Sequence, residues 1–203
     1  MIAVVDYGMG NIRSVSRALE AVEAQVKITQ NAEDIKNARA IVLPGVGAFS
    51  DCMENLSELG LLQTIKEEIV NGKPYLGICL GMQILFSESE EFGFCKGLDI
   101  FKGRVVRFNL PRQYKIPHMG WNVVKFKRKN KILEGIPDNS YFYFVHSYYV
   151  VPEDERIIAG VTDYGTDFTS MIIYENIFAT QFHPEKSQKT GLTLLKNFVQ
   201  FSR

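Results

Sequence analysis

The chain has 203 residues, of which 46% are hydrophobic and 23% charged, an ordinary globular balance that excludes a disordered, collagen-like or extended coiled-coil protein. Lys plus Arg number 23 and Asp plus Glu number 23, so the broad positive field of a protein that grips phosphate backbones is missing and no nucleic-acid partner is expected. Cys52, Cys79 and Cys95 form no Cys-x-x-Cys pair, the opening residues lack the basic start of a secretory signal, and the longest nearly apolar stretch, Leu76–Phe86, is well short of the roughly 18 residues of a membrane span; a cytoplasmic protein without membrane contact is expected.

In chain order, Ile2–Val5 is an apolar run that predicts a strand, Gly8 and Gly10 predict a turn, and Asn11 is placed to cap a helix carrying Ile12, Val15, Ala18, Leu19 and Val22 at helical spacing. Gln25–Thr29 predicts a second strand, Asn31–Ala38 a polar helical turn, and Ala40–Leu43 a third strand stopped by Pro44–Gly45. Phe49–Val70 reads as a helical hairpin broken near Gly60, and Tyr75–Ile78 as a fourth strand. Strands apolar on both faces and separated by helices indicate a parallel sheet covered on both sides.

From about Leu98 the pattern changes to alternating segments: Gly103–Phe108, Trp121–Lys127, Ser140–Val150, Arg156–Gly165 and Phe168–Phe182, with turns at Asp163–Gly165 and Glu175–Asn176. These predict antiparallel hairpins. A closing helix is expected over Thr190–Phe201, and Lys125, Lys127, Arg128, Lys129 and Lys131 are expected in a solvated hairpin turn. With no internal repeat or low-complexity linker, the expectation is one α/β domain over residues 1–203: a mostly parallel central sheet with helices on both faces and an added antiparallel section.

The strongest chemical signal is Leu76-Gly77-Ile78-Cys79-Leu80-Gly81. With 16 glycines in 203 residues, composition alone would place glycines on both sides of one of three cysteines about 2% of the time. A nucleophile held between a strand and a helix needs neighbours without Cβ atoms, which is the logic of the nucleophile elbow usually built on serine. A helix starting near Leu80 would aim its N-terminus at the sulfur and favour thiolate, and its free N–H groups could face a developing oxyanion. Pro44-Gly45-Val46-Gly47-Ala48-Phe49, after the third strand, could supply further N–H groups if the third and fourth strands are neighbours.

A thiolate nucleophile needs a proton shuttle, and the chain has His118, His146 and His183. His183 and Glu185 flank Pro184 and, on an extended segment, would lean to the same side, letting the carboxylate hold the imidazole while the other ring nitrogen faces the sulfur. His118 and His146 have no carboxylate within two residues and are read as packing or hydrogen-bonding histidines.

Gly77-x-Cys79-x-Gly81 followed about a hundred residues later by His183-Pro184-Glu185 resembles the class I, or triad, glutamine amidotransferases. Within them, the blocks Asp6–Asn11, Pro44–Phe49, Gly77–Gln83, Pro117–Asn122, Tyr143–Tyr148 and Gln181–Ser187 resemble the glutaminase subunits of imidazole glycerol phosphate synthase in histidine biosynthesis. The resemblance implies a flavodoxin-like fold that needs no cofactor and no metal. It also implies that Cys79 attacks the side-chain amide of L-glutamine to form a glutamyl thioester, with His183 moving protons and Glu185 orienting it. Leu80 and one of Gly45, Val46 and Gly47 would hold the oxyanion, and Gln83, Glu91 and Ser147 would bind glutamine. The implied partner is a (β/α)8-barrel cyclase in a heterodimer, which would use the ammonia to make imidazole glycerol phosphate and aminoimidazole carboxamide ribotide. Asn11, Pro117, His118, Met119, Trp121, Tyr143 and Lys186 would lie on or near the face that meets it. A paralogous subunit feeding a sugar-amination enzyme, and a free-standing γ-glutamyl hydrolase, would carry the same elbow.

Overall fold

A computed structural model describes residues 1–203. Its first half alternates β1 (Ile2–Val5), α1 (Ile12–Ala21), β2 (Val26–Thr29), α2 (Ala32–Asn37), β3 (Ala40–Gly45), α3 (Phe49–Glu58), α4 (Leu62–Val70), β4 (Tyr75–Cys79) and the single turn α5 (Leu80–Gln83). Every residue of β1, β3 and β4 is buried, because successive side chains enter two separate cores. Ile2, Val4, Val42, Leu76 and Ile78 pack on one face with Leu19 of α1, while Ala3, Val5, Ile41, Leu43 and Tyr75 pack on the other with Ile35, Phe49, Leu56 and Ile65. This double burial is why the strands read as continuous apolar runs rather than alternating ones. Asn31 caps α2 by accepting from the Glu33 N–H at 2.8 Å, whereas Asn11 precedes α1 without a side-chain cap bond.

The second half comprises β5 (Phe86–Ser89), β6 (Cys95–Lys96), β7 (Phe101–Arg107), β8 (His118–Phe126), β9 (Ser140–His146), β10 (Tyr148–Pro152), β11 (Ile158–Asp163), β12 (Asp167–Tyr174), β13 (Ile177–Thr180) and α6 (Gln188–Phe201). The main sheet runs β2-β1-β3-β4-β13-β12-β10-β7-β5-β6, with β11 bridging β12 to β8, and β8 pairing β9. The expected fold class is therefore observed, with four differences in detail. The segment Ser140–Val150 is two strands, not one: the chain breaks at Ser147, so that β9 pairs with β8 while β10 pairs with β7 and β12. β13 makes the expected hairpin with β12 but also lies parallel to β4. β3 continues through Pro44 and Gly45, which pair with Ile78 and Cys79. The basic cluster is also more than a bare turn. Lys131 opens a 3-10 turn whose Ile132 and Leu133 are buried, and Asn197 of α6 donates to the carbonyls of Ile132 and Glu134 at 2.9 and 2.8 Å, tying the connection to the last helix.

No helix is long and apolar enough to cross a membrane. The core that supports the site is aromatic: Phe142 of β9 stacks on Phe182, with ring centroids 4.0 Å apart, and both are fully buried. Phe142→Ala removes this contact and leaves a void beneath the residue preceding His183. Its unfolding midpoint in urea is expected to drop by the equivalent of about 3–5 kcal/mol with little change in slope.

Candidate active site

Three neighbouring parallel strands bring the chemistry-bearing residues to one edge of the sheet. β3 and β4 are in register with Gly45 opposite Cys79, and on the other side of β4, Thr180 of β13 lies opposite Ile78. The chain leaving β13, Gln181 to Glu185, therefore passes beside the cysteine. Cys79 itself has φ 55° and ψ −105°, a conformation that L-residues rarely adopt and that surrounding structure must enforce. Backbones close in on both sides of it. A Cβ on Gly81 would strike the Leu43 carbonyl oxygen, and one on Gly77 would strike the Gly81 carbonyl. The buried Tyr75 hydroxyl donates to that same Gly81 carbonyl at 2.7 Å and fixes the turn.

The helix expected after Cys79 is a single turn, Leu80–Gln83, because Phe86 already belongs to β5 and pairs with Phe101. So short a helix carries little of a macrodipole, and the sulfur is served instead by a single side-chain donor. Gln181 Nε2 donates to Cys79 Sγ at 3.4 Å. His183 Nδ1 lies 2.8 Å from Glu185 Oε1, and both side chains are essentially excluded from solvent. Glu185 is not on an extended segment as expected: His183 is extended, but Pro184–Lys186 forms a 3-10 turn that curls the carboxylate back to the ring. His183 Nε2 has no hydrogen-bond partner within the molecule other than its approach to the cysteine.

The three histidines occupy different electrostatic settings. Burial pulls His183 down, but the negative charge and hydrogen bond of Cys79, followed by those of Glu185, outweigh it and raise the imidazole to about 10. Burial instead lowers His118 to about 4. Burial likewise lowers His146 to about 3, in spite of a hydrogen bond to the Tyr148 carbonyl, and both neighbouring histidines add to the fall. His118 and His146 are hydrogen-bonding and packing residues, as read from the sequence: His118 Nδ1 and His146 Nε2 are 3.0 Å apart, and His118 stacks on Phe144 and Tyr164.

Above the sulfur lies a cavity of about 250 Å³ lined by Cys79, Leu80, Val46, Gly47, Gln83, Glu91, Ser147 and their neighbours. It is below the roughly 300–1,000 Å³ of sites for drug-sized ligands and suits a small polar molecule. Of the residues expected to hold an oxyanion, Leu80, Val46 and Gly47 face this cavity, whereas Gly45 is buried within β3. All three residues expected to bind glutamine line it. Glu91 Oε2 accepts from the Phe49 N–H at 2.7 Å, and burial raises its carboxyl against the pull of that bond, with Asp51 adding to the rise. A wider hollow of about 750 Å³ at Phe126–Asp138 contains no nucleophile.

The residues expected at a partner face divide. Met119 and Trp121 are exposed, at 62% and 46%, and Trp121 lies directly across the β8/β9 pair from Tyr143. Lys186 Nζ sits 5.6 Å from the centre of the Tyr143 ring. Pro117 is on the cavity rim, and Asn11 is half-buried at the start of α1. His118 departs from the expectation: it is 3% exposed, because alternation along β8 turns it inward while Met119 turns out. Gln181 was not singled out from the sequence, although a fully buried amide in the apolar run Ile177–Phe182 is the kind of signal that marks such a residue.

Comparison with known proteins identifies the fold and the family. A family model described as glutamine amidotransferase class-I matches residues 3–201. Solved structures with the same fold include a protein titled glutamine amidotransferase (TM-score 0.77, 18% identity, 100% of this chain and 99% of that one) and the Trypanosoma brucei CTPS glutaminase domain (TM-score 0.68, 20% identity, 98% and 93%). The chain belongs to the class-I glutamine amidotransferases and, more narrowly, to a family of curated relatives named imidazole glycerol phosphate synthase subunit HisH. Two of these are the Syntrophotalea carbinolica protein, 49% identical over 98% of each chain, and the Aquifex aeolicus protein, 55% identical over 96% of this chain and 94% of that one.

The raised value at His183 has a sign that can be tested. A histidine whose folded value lies above its unfolded value near 6.5 contributes stability in full below that pH and loses it as the pH climbs toward about 10. Proton-detected titration of the imidazoles should find His183 charged and His118 and His146 neutral at pH 7. Cys79→Ala should move the His183 midpoint down, and a His183 that titrates near 6.5 in the intact protein would contradict the arrangement.

Proposed function

We propose that this chain is the glutaminase subunit of an imidazole glycerol phosphate synthase, acting as one domain over residues 1–203. It hydrolyses L-glutamine and delivers ammonia to a (β/α)8-barrel cyclase in a cytoplasmic heterodimer. The observation that carries the catalytic half is the strained Cys79, which lines a small cavity and has the buried His183–Glu185 pair beside it. The half that concerns histidine biosynthesis rests on relatives at about half identity over nearly the whole chain.

The geometry suggests how the residues share the work. Glu91 at the cavity wall suits the α-ammonium of glutamine, and Gln83 has spent both amide protons on Tyr148 O and Gln181 Oε1, each at 3.0 Å, so it offers only its carbonyl oxygen to the substrate. The side-chain amide of glutamine then lies over Cys79. Sulfur adds to the amide carbon, and the resulting oxyanion is met by the Leu80 N–H and by an N–H from Val46–Gly47. Protonated His183 passes its Nε2 proton to the leaving nitrogen, the C–N bond breaks, and ammonia departs from a glutamyl thioester. Neutral His183 next takes a proton from water, whose oxygen attacks the thioester, and glutamate leaves as the thiolate–imidazolium pair reforms. Glu185 keeps the ring in one orientation throughout. No step requires a cofactor or metal.

For the partner face, the support is a cluster of the exposed Met119, Trp121 and Lys186 around the half-buried Tyr143, on adjoining strands and the turn that follows His183. Aromatic anchors of this kind dominate interface energetics.

Cys79→Ala should reduce glutamine-dependent turnover of the assembled synthase to background while turnover with ammonium salts persists; loss of both, or of neither, would contradict the assignment. Trp121→Ala should weaken assembly with the cyclase by about 2 kcal/mol, roughly thirtyfold in dissociation constant, as read by calorimetric titration, without changing the unfolding midpoint of the isolated chain.

A further inference from the structure

Cys79 Sγ has one side-chain donor within hydrogen-bond distance, Gln181, and the orientation of that donor is set from far away. We propose that Gln181 is a further catalytic residue, a hydrogen-bond donor that holds the sulfur of Cys79 in its attacking position, and that a buried chain of hydrogen bonds running back to Asn122 keeps it pointed the right way. The proposal deepens the glutaminase reading and rests on it.

The argument begins at a group that can only accept, the backbone carbonyl of Tyr148. It receives Gln83 Nε2 at 3.0 Å and faces His146 Nδ1 at 2.8 Å. Gln83 must therefore present its nitrogen, not its oxygen, to this carbonyl. The same nitrogen lies 3.0 Å from Gln181 Oε1, so its second proton is donated there. That in turn fixes the Gln181 amide: its oxygen faces Gln83, and its nitrogen is left for Cys79 Sγ at 3.4 Å. Turning the Gln181 amide over would set nitrogen against nitrogen at Gln83 and take the donor away from the sulfur. Gln181 is 0% exposed, so its amide is shielded from competing water, and a donor placed where charge develops on the sulfur during the reaction strengthens as that charge appears.

The other arm of the Tyr148 carbonyl extends the chain. His146 Nδ1 must carry the proton, which makes Nε2 an acceptor. His118 Nδ1, 3.0 Å from it, must then donate, which makes His118 Nε2 the acceptor for Asn122 Nδ2 at 3.2 Å. Asn122 is held by its second amide proton on the Asp163 carbonyl at 2.9 Å. Every ring nitrogen has one role, and the pattern requires both histidines to be neutral, as their burial dictates. A chain of this length with each donor matched to one acceptor resists rotation of any single member.

The test is alkylation of the full-length protein with iodoacetamide, read residue by residue by mass spectrometry, together with steady-state glutamine turnover in the assembled synthase. Gln181→Met keeps length and removes the donor; Gln181→Glu keeps shape and substitutes an acceptor, so that one variant remains informative if the other fails to fold. Cys79 labelling and kcat should both fall about ten- to a hundredfold in either variant, with KM for glutamine and labelling of the half-buried Cys95 unchanged. A general loosening of the structure would instead raise labelling at Cys95 and Cys52. Fast Cys79 labelling that persists in both variants would overturn the role of Gln181 and leave the glutaminase reading intact. Wild-type Cys79 labelling no faster than Cys95 would overturn both.

Discussion

Everything at the site depends on the lateral register of β4 between β3 and β13. Because all three run parallel, their carboxyl ends open on the same edge of the sheet, the place where ligands bind in open α/β architectures. Gly45 stands opposite Cys79 on one side, and Thr180 opposite Ile78 on the other. A shift of one residue at either pairing would turn Cys79 or the Gln181–Glu185 segment to the wrong face of the sheet. The register is protected by burial on both faces, since the alternating side chains of β4 enter two cores that cannot be exchanged.

Burial sets the electrostatics as firmly as register sets the geometry. The same residue type occurs three times in surroundings that exclude water, with opposite results. His183 lies between Cys79 and Glu185, whose pull outweighs burial and raises it; His118 and His146 lack such a neighbour, and burial lowers both, with His183 adding to the fall at His146. Desolvation acts against the charged form in all three, so the number of neighbouring anions decides which histidine carries the proton. This division leaves a charged imidazole beside Cys79 and neutral ones along the chain of hydrogen bonds behind it.

Much of this was legible in the sequence where local pattern and chemistry coincide. Double-faced burial makes β1, β3 and β4 recognisable as parallel strands, and the glycines around Cys79 report a backbone approach that the Leu43 and Gly81 carbonyls make concrete. What escaped depends on non-local pairing. Alternation shows that Phe168–Phe182 is extended, but not that its end joins β4 in parallel; nothing around Ser147 announces that the strands on either side belong to different partners. The sequence places a helix start near Leu80 but not its end, since Phe86 is apolar in either setting and only its pairing with Phe101 makes it a strand. The role of Gln181 was hidden for the same reason, since the donor and its target are 102 positions apart.

The site and the exposed β8/β9 face share more than proximity. Tyr143 shows its ring to Trp121 and Lys186, while its backbone is bonded to the catalytic segment: the His183 N–H donates to the Tyr143 carbonyl at 2.9 Å, and the Tyr143 N–H donates to Ser187 Oγ at 3.0 Å. Ser187 closes the loop by donating to the His183 carbonyl at 2.6 Å. These bonds form a clamp between the strand that carries the exposed aromatics and both ends of the turn that carries Glu185. The second link runs through Asn122, His118 and His146 on the inner side of the same pair of strands. The β8/β9 hairpin is thus hydrogen-bonded to His183 through its outer strand and to the Tyr148 carbonyl, which also receives Gln83, through its inner side chains. The position of the face relative to the chemistry follows from β9 being paired to β8 on one edge and to the His183 segment on the other.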